Sequence, residues 1–317
     1  RDVAPSRGLG DVYKRQLVNL GVRYEISKQW VDYYTDGGKA ERSELNKNDL
    51  FPSLNMKYQM NEKNSLRFAF SRTVTRPSFI EMAPFLYQES YGSAQIRGNA
   101  DLQNGYNYNI DLRYELFEKN GDMLSITAYY KHLKAPIERV QTLSGGSAVH
   151  SFRNADNGMA TGVEIEFRKE IVKDLRFGVN GSYMYTNVKL PEGGAYTNSQ
   201  RALQGASPYL ANADLTYSPA FSNDRQLSVA LLYNLQGPRI HSVGISGLGD
   251  IKQQPVHTLN FTGSYRFNRR FAVKLQVNDL LNQDILFKQE VPTTGDKVEV
   301  ERFRKGTGFE VGFSYDL

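Results

Sequence analysis

Gly308-Phe309-Glu310-Val311-Gly312-Phe313-Ser314-Tyr315-Asp316-Leu317 sets the grammar of this chain. Phe309, Val311, Phe313, Tyr315 and Leu317 share one parity, and Gly308, Glu310, Gly312, Ser314 and Asp316 share the other. An extended strand sends successive side chains to opposite faces, so the segment has one apolar face and one polar face. The rhythm recurs upstream. Leu20, Val22 and Tyr24 alternate with Gly21 and Arg23, and Leu54, Met56 and Tyr58 with Asn55 and Lys57. Ile110, Leu112 and Tyr114 alternate with Asp111 and Arg113, Val163, Ile165 and Phe167 with Glu164 and Glu166, and Phe271, Val273 and Leu275 with Ala272 and Lys274. From Leu17 onward the pattern predicts about 12 strands.

The connections fall into two classes. Short ones, 61–64, 118–121, 170–174, 218–226 and 268–270, alternate with long ones, 27–50, 75–104, 132–158, 187–208, 236–256 and 282–306. A soluble sandwich has no reason to sort its loops in this way, whereas a bacterial outer-membrane barrel has tight periplasmic turns and long extracellular loops. The apolar rows carry no charge, as a lipid face requires, since Arg or Lys at the bilayer midplane costs roughly 2–4 kcal/mol. The polar parity then lines a wet lumen. Tyrosines near the row ends, such as Tyr58, Tyr130, Tyr185 and Tyr217, suit interfacial girdles.

Composition agrees with this reading. The 317 residues include 20 Tyr, 17 Phe and 27 Gly but one Trp, and no apolar run reaches the length of a membrane helix. With no cysteine there is no disulfide framework, thiolate metal site or cysteine nucleophile. The net charge of +5 is partly contributed by the first 16 residues and gives no argument for nucleic-acid binding. That segment stands apart from the strand pattern. Ser6 to Gln16 resembles an in-frame translation of a transposase-type sequencing adaptor, which makes residues 1–16 a non-native, disordered tail and Leu17 the first native residue.

Several stretches carry a family resemblance: Leu50-Phe51-Pro52-Ser53-Leu54-Asn55, Ser71-Arg72-Thr73-Val74-Thr75-Arg76-Pro77-Ser78-Phe79, Gly162-Val163-Glu164-Ile165-Glu166, Gln204-Gly205-Ala206-Ser207-Pro208-Tyr209 and Val277-Asn278-Asp279-Leu280-Leu281-Asn282. In order and spacing they resemble the C-terminal barrel of TonB-dependent outer-membrane receptors, especially those of Bacteroidetes-type bacteria. The resemblance implies an all-β fold, an antiparallel up-and-down transmembrane β-barrel fragment supplying about 12 strands of a 22-stranded barrel whose plug lies upstream. It implies a receptor that binds a scarce solute through extracellular loops and imports it with TonB-derived energy. The solute is a siderophore, cobalamin, glycan or peptide, and no cofactor or nucleic acid is involved. The other implied partners are outer-membrane lipid and lipopolysaccharide, the TonB complex through the plug, and the barrel-assembly machinery. Gly312, Tyr315 and Leu317 resemble the C-terminal signal read by that machinery, with Leu where an aromatic residue is commoner. With the upstream strands absent, the first strand near Leu20 is either an open edge or pairs with Gly308–Leu317 in a narrower closure.

Candidate ligand contacts are loop residues: Arg72, Arg76, Tyr87, Tyr91 and Arg97, then Tyr196 and Arg201, then Arg239 and His241. Arg suits carboxylate or phosphate, and Tyr stacks on rings. The competing reading is that they solvate the loops or meet lipopolysaccharide phosphate. Arg76-Pro77 reads first as the point where a strand leaves the barrel rim, and Gly98-Asn99 and Gly145-Gly146 read first as turns. His132, His150, His241 and His257 lie in or beside predicted loops, with no pair at ligand spacing in the sequence. Ser246 lacks the Gly-x-Ser-x-Gly elbow of a hydrolase. An outer-membrane hydrolase and an adhesion or scaffold barrel remain the rival classes.

Overall fold

The computed structural model describes residues 15–35, 37–89, 95–118, 120–144, 147–190, 197–219, 221, 224–244 and 247–316. Residues 1–14 of the expected tail, Tyr91, Gly145-Gly146, Tyr196, Ser246 and Leu317 lie outside them. Twelve strands form one continuous antiparallel sheet in chain order. They are β1 (Gln16–Tyr34), β2 (Ala40–Gln59), β3 (Asn64–Thr75), β4 (Gly105–Phe117), β5 (Met123–Lys134) and β6 (Asn157–Val172), followed by β7 (Leu175–Lys189), β8 (Tyr209–Tyr217), β9 (Gln226–Gln236), β10 (Val256–Arg266), β11 (Phe271–Asn278) and β12 (Gly308–Tyr315). Each strand pairs with its sequence neighbour, as the alternating rows predict. Among the described residues no ladder joins β1 to β12, so the open-edge alternative holds.

Local chemistry explains the tight turns. The side chain of Asn61 accepts from the backbone N–H of Lys63 (3.0 Å) and Asn64 (2.9 Å), and Asn268 does the same for Arg270 and Phe271, both at 2.9 Å. Such side-chain mimicry of a turn is what Asn offers at a hairpin.

The register keeps the apolar rows in line across the sheet. Leu112 stands opposite Ala128, Ala128 opposite Val163, and Val163 opposite Tyr183. This face is bare: Leu20 is 80% exposed, Phe309 74% and Phe313 72%. A soluble fold does not leave such a face to water; here it is the surface that lipid covers. The opposite face is polar and internally paired. Glu115 accepts from Arg67 (2.7 Å) and Ser65 (2.9 Å) and pairs with Arg113 (3.0 Å), and Glu166 pairs with Arg168 at 2.8 Å. Farther round, Asn234 donates to Asn212 and Asn212 to Asn180.

Three expectations need correction. Residues 27–50 are not a long loop: β1 and β2 continue as a two-stranded ribbon that turns only at 35–39, with Gly38 at φ 76°. Cross-strand pairing stabilises the polar stretch, as where Arg42 meets Asp32 at 2.6 Å. The ribbon leaves the barrel at Pro52. The β2–β3 ladder stops at Ser53, because a proline has no N–H to continue it.

The remaining long connections are also structured. One small sheet joins Leu86–Tyr87, Gln95–Arg97, Ser147–Asn154 and Ile137–Ser144, and a second joins Arg239–Ser242, Ile251–Gln253, Ile285–Glu290 and Lys297–Phe303. The first contains a parallel pair, Gln95–Arg97 with Ser147–Asn154, where purely antiparallel pairing was expected. Gly98 also differs from its reading as a turn residue. A Cβ there would collide with the Ala83 carbonyl, so glycine serves close approach of two backbones. Asn99 carries the turn, its side chain accepting from Asp101 N–H at 3.0 Å.

Ile165→Arg, on the lipid face, is expected to destabilise the assembled barrel by about 2–4 kcal/mol, while Glu164→Gln on the facing wall changes it by less than about 1 kcal/mol. Urea unfolding in lipid vesicles measures both, and equal effects would contradict the assigned faces.

Candidate functional site

The buried apolar clusters belong chiefly to the connections. Val140, Ala155, Val188, Leu190, Ile240 and Val243 form one, Ile96, Leu102 and Phe152 a second, and Ile251, Ile285 and Phe287 a third. The strands spend their apolar residues on lipid, so the chain builds its interior where the connections fold over the rim.

Polar side chains tie these connections to one another. Arg201 and Glu138 form a buried ion pair, their side chains 4% and 1% exposed. Gln204 sits beside it, accepting from the Arg139 backbone N–H through its side-chain oxygen and donating from its amide to the His241 carbonyl. One side chain thus joins the connections that follow β5, β7 and β9. Arg139 Nε donates to His150 Nδ1 at 2.9 Å, and its guanidinium reaches Glu89 at 3.2 Å in the connection after β3. The His241 ring stands edge-on to Phe287 at 4.8 Å, adding the connection after β11, and lies 6.1 Å from the His150 ring. Five connections therefore meet around Arg139, Gln204 and the two histidines. Gln204 lay within a quoted motif, but its role had no sequence signal because its partners are distant in the chain.

The candidate contacts divide accordingly. Arg201 and His241 are brought together in this layer. Arg239 donates to Gln253 Oε1 at 2.7 Å and, with Arg201, lines a pocket of 780 Å³ near the rim. Tyr87 packs against the Ile96 cluster, and Arg97 ends the strand beside it. Arg72 and Arg76 lie elsewhere, at the root of the ribbon. Arg72 donates to the Leu50 carbonyl at 2.7 Å and faces the rings of Tyr106 and Phe51 at 4.5 and 5.5 Å. Arg76 is hydrogen-bonded to Glu25, and buried Pro77 gives its carbonyl to Gln29 at 2.6 Å. Both arginines fasten the ribbon to the rim. At the last strand Gly312 stands opposite Lys274 and Tyr315 opposite Phe271.

Burial, reinforced by the Arg139 charge, pushes the His150 imidazole down to about 3 and that of His241 to about 4 from an ordinary 6.5. A depressed histidine value favours the folded layer fully above about pH 6.5, and that preference is lost as pH falls toward the folded values, because the unfolded segments take up protons first. Hydrogen exchange, corrected for its intrinsic pH dependence, is expected to show weaker protection of residues 147–154 and 239–242 at about pH 5 than at about pH 7.5, with the barrel strands unchanged. Equal protection at both would contradict this picture.

Comparison with known proteins agrees with the geometry. The chain is 21% identical over 270 residues to the ferric enterobactin receptor of Pseudomonas aeruginosa, covering 78% of this chain and 35% of that receptor. Among solved structures, that receptor in complex with enterobactin superposes with a TM-score of 0.59 at 15% identity, covering 96% of this chain and 44% of the other. The ferric yersiniabactin uptake receptor of Yersinia pestis gives 0.63 at 14% identity, with the same coverage of 96% and 44%. The chain thus spans less than half the length of these relatives, which are receptors and not enzymes. The family model described as "Outer membrane protein beta-barrel family" matches residues 10–315, beginning inside the segment read as an adaptor-derived tail. With that match across nearly its whole length, the chain belongs to the outer membrane protein beta-barrel family.

Proposed function

We propose that this chain is the C-terminal barrel portion of an active-transport receptor of the outer membrane. The observation that carries the reading is the fused layer of five connections above a polar, internally paired wall: a surface for capture on one side, and a wet passage beneath it. In this reading the long connections face the cell exterior and hold a scarce solute, with Arg239, His241, Arg201, Tyr87 and Arg97 as contacts. Arg72 and Arg76 contribute by fixing the ribbon beside it. Tyr91 and Tyr196 belong to the same loops and keep their proposed role.

Energy arrives from the inner membrane through TonB and a plug encoded upstream. The solute is a ferric siderophore, a reading supported by the two receptors to which the chain is similar. Lipopolysaccharide surrounds the barrel, and Gly312, Tyr315 and Leu317 present the last strand to the assembly machinery. Residues 1–16 are proposed to be a non-native tail whose last residue, Gln16, is drawn into the start of β1 opposite Tyr58, and the source is a Bacteroidetes-type bacterium.

Deletion of the gene in its host is expected to abolish energy-dependent uptake of a labelled ferric siderophore and slow growth under iron limitation. Loss of TonB should have the same effect. Normal iron uptake with a growth defect on a glycan, peptide or cobalamin source would overturn the siderophore assignment. Uptake that persists without TonB would overturn the transport mechanism.

A further inference from the structure

The lipid-facing surface of β4 to β7 changes its chemistry as it approaches the long connections. Its apolar part carries a groove of 480 Å³. The register explains the groove: Ile110, Tyr130, Thr161 and Tyr185 stand side by side in one row, with Ala128 and Val163 in the row nearer the tight turns. Thr161 and Ala128 are short, so their bulkier neighbours flank a channel.

On the same parity, the next row toward the long connections is Tyr108, His132, Met159 and Asn187, with the Tyr108 and His132 rings 6.2 Å apart. The row after it is Tyr106, Lys134, Asn157 and Lys189. Both lysines are exposed, and among the described residues neither makes an ion pair. They lie on either side of Asn157, two strands apart, which is about 10 Å at the usual strand spacing. Each follows a tyrosine of the groove, Tyr130 or Tyr185, by about 13 Å of extended strand. The neighbouring carboxylate is Asp156, exposed and donating its N–H to the Lys189 carbonyl at 3.1 Å. Two lysines against one aspartate leave a surplus of one positive charge.

We infer that this surface binds lipid A, the acylated and phosphorylated disaccharide that anchors lipopolysaccharide in the outer leaflet. An acyl chain occupies the groove over Ala128 and Thr161, and a phosphate sits between Lys134 and Lys189. An ammonium group on a lipid-facing parity is costly within hydrocarbon, but a long lysine stem can lie along apolar surface and hold its charge among the headgroups. Tyr130 and Tyr185 stand between the two levels, where amphipathic rings suit the boundary of hydrocarbon and headgroup. The inference rests on the proposed placement of the long connections outside the cell and is independent of which solute is imported.

The complete protein, extracted from its host's outer membrane in a neutral detergent and titrated with lipid in native mass spectrometry, tests it. Lipid A bearing both phosphates is expected to be retained about ten-fold more than its dephosphorylated form. Lys134→Gln combined with Lys189→Gln is expected to erase that preference, and either single variant to weaken it. Ala128→Leu with Thr161→Leu fills the groove with residues suited to lipid, so assembly is kept while retention of both forms falls. Equal retention of the two forms by the unaltered protein, an undiminished preference in the double charge variant, or retention untouched by filling the groove would overturn the proposal. So would dioleoyl phosphatidylglycerol competing as well as lipid A, which would mark a site for any anionic lipid. Orientation is checked separately by labelling Lys252→Cys on intact cells with a membrane-impermeant maleimide. Labelling is expected; its absence until the cells are broken would overturn the exterior placement itself, whereas labelling without a lipid A preference would overturn the lipid site alone.

Discussion

Within hydrocarbon there is no water to satisfy a backbone N–H or C=O, so each must find a partner in a neighbouring strand. The rest of the molecule follows from that constraint. It demands an uninterrupted ladder through the membrane span, which the sheet supplies from β1 to β12. It also explains the placement of Pro52, which ends the β2–β3 ladder at the point where the ribbon leaves the barrel. The open outer sides of β1 and β12 are the places where the constraint is unmet among the described residues, and a completing partner there is a physical necessity in a bilayer.

The barrel and the loop layer answer to different forces. The strands hold together through backbone pairing and leave their apolar rows to lipid, so little side-chain interior exists between them. The connections reverse the arrangement, burying Val140, Val188, Ile240 and Val243 together and enclosing the Glu138–Arg201 pair among them. A buried ion pair is poor evidence of net stability, but it punishes misalignment severely, since either partner alone is an uncompensated charge. It therefore fixes how the connection after β5 sits against that after β7.

These two regimes also explain what the sequence disclosed. Alternation in stretches such as Tyr106–Leu116 or Leu259–Phe267 is dictated by lipid on one side and water on the other, so it is written in consecutive residues and was legible. The ribbon was misread because its sequence is polar on both parities: Asp32 and Arg42 look like loop residues until they are seen to be cross-strand partners. The loop sheets were missed for another reason. Segments of two to four residues, such as Leu86–Tyr87 or Arg239–Ser242, are too short to show a period, and their partners are remote in the chain. The meeting of His150 with His241 is a product of that layer, and isolated histidines at unrelated positions could not announce it.

The inner wall has a consequence for anything that moves past it. From Arg67 through Glu115 and Arg113 to Glu166 and Arg168, positive and negative groups alternate at 2.7–3.5 Å along one path. Neighbouring opposite charges cancel within a few ångströms, so the electrostatic potential sensed farther into the lumen is nearly level. A charged body travelling along such a surface finds neither a deep well to escape from nor a barrier to climb. In kinetic terms this stretch of wall is a low-friction bearing, and under the proposed transport function selectivity falls to the connections gathered at the rim.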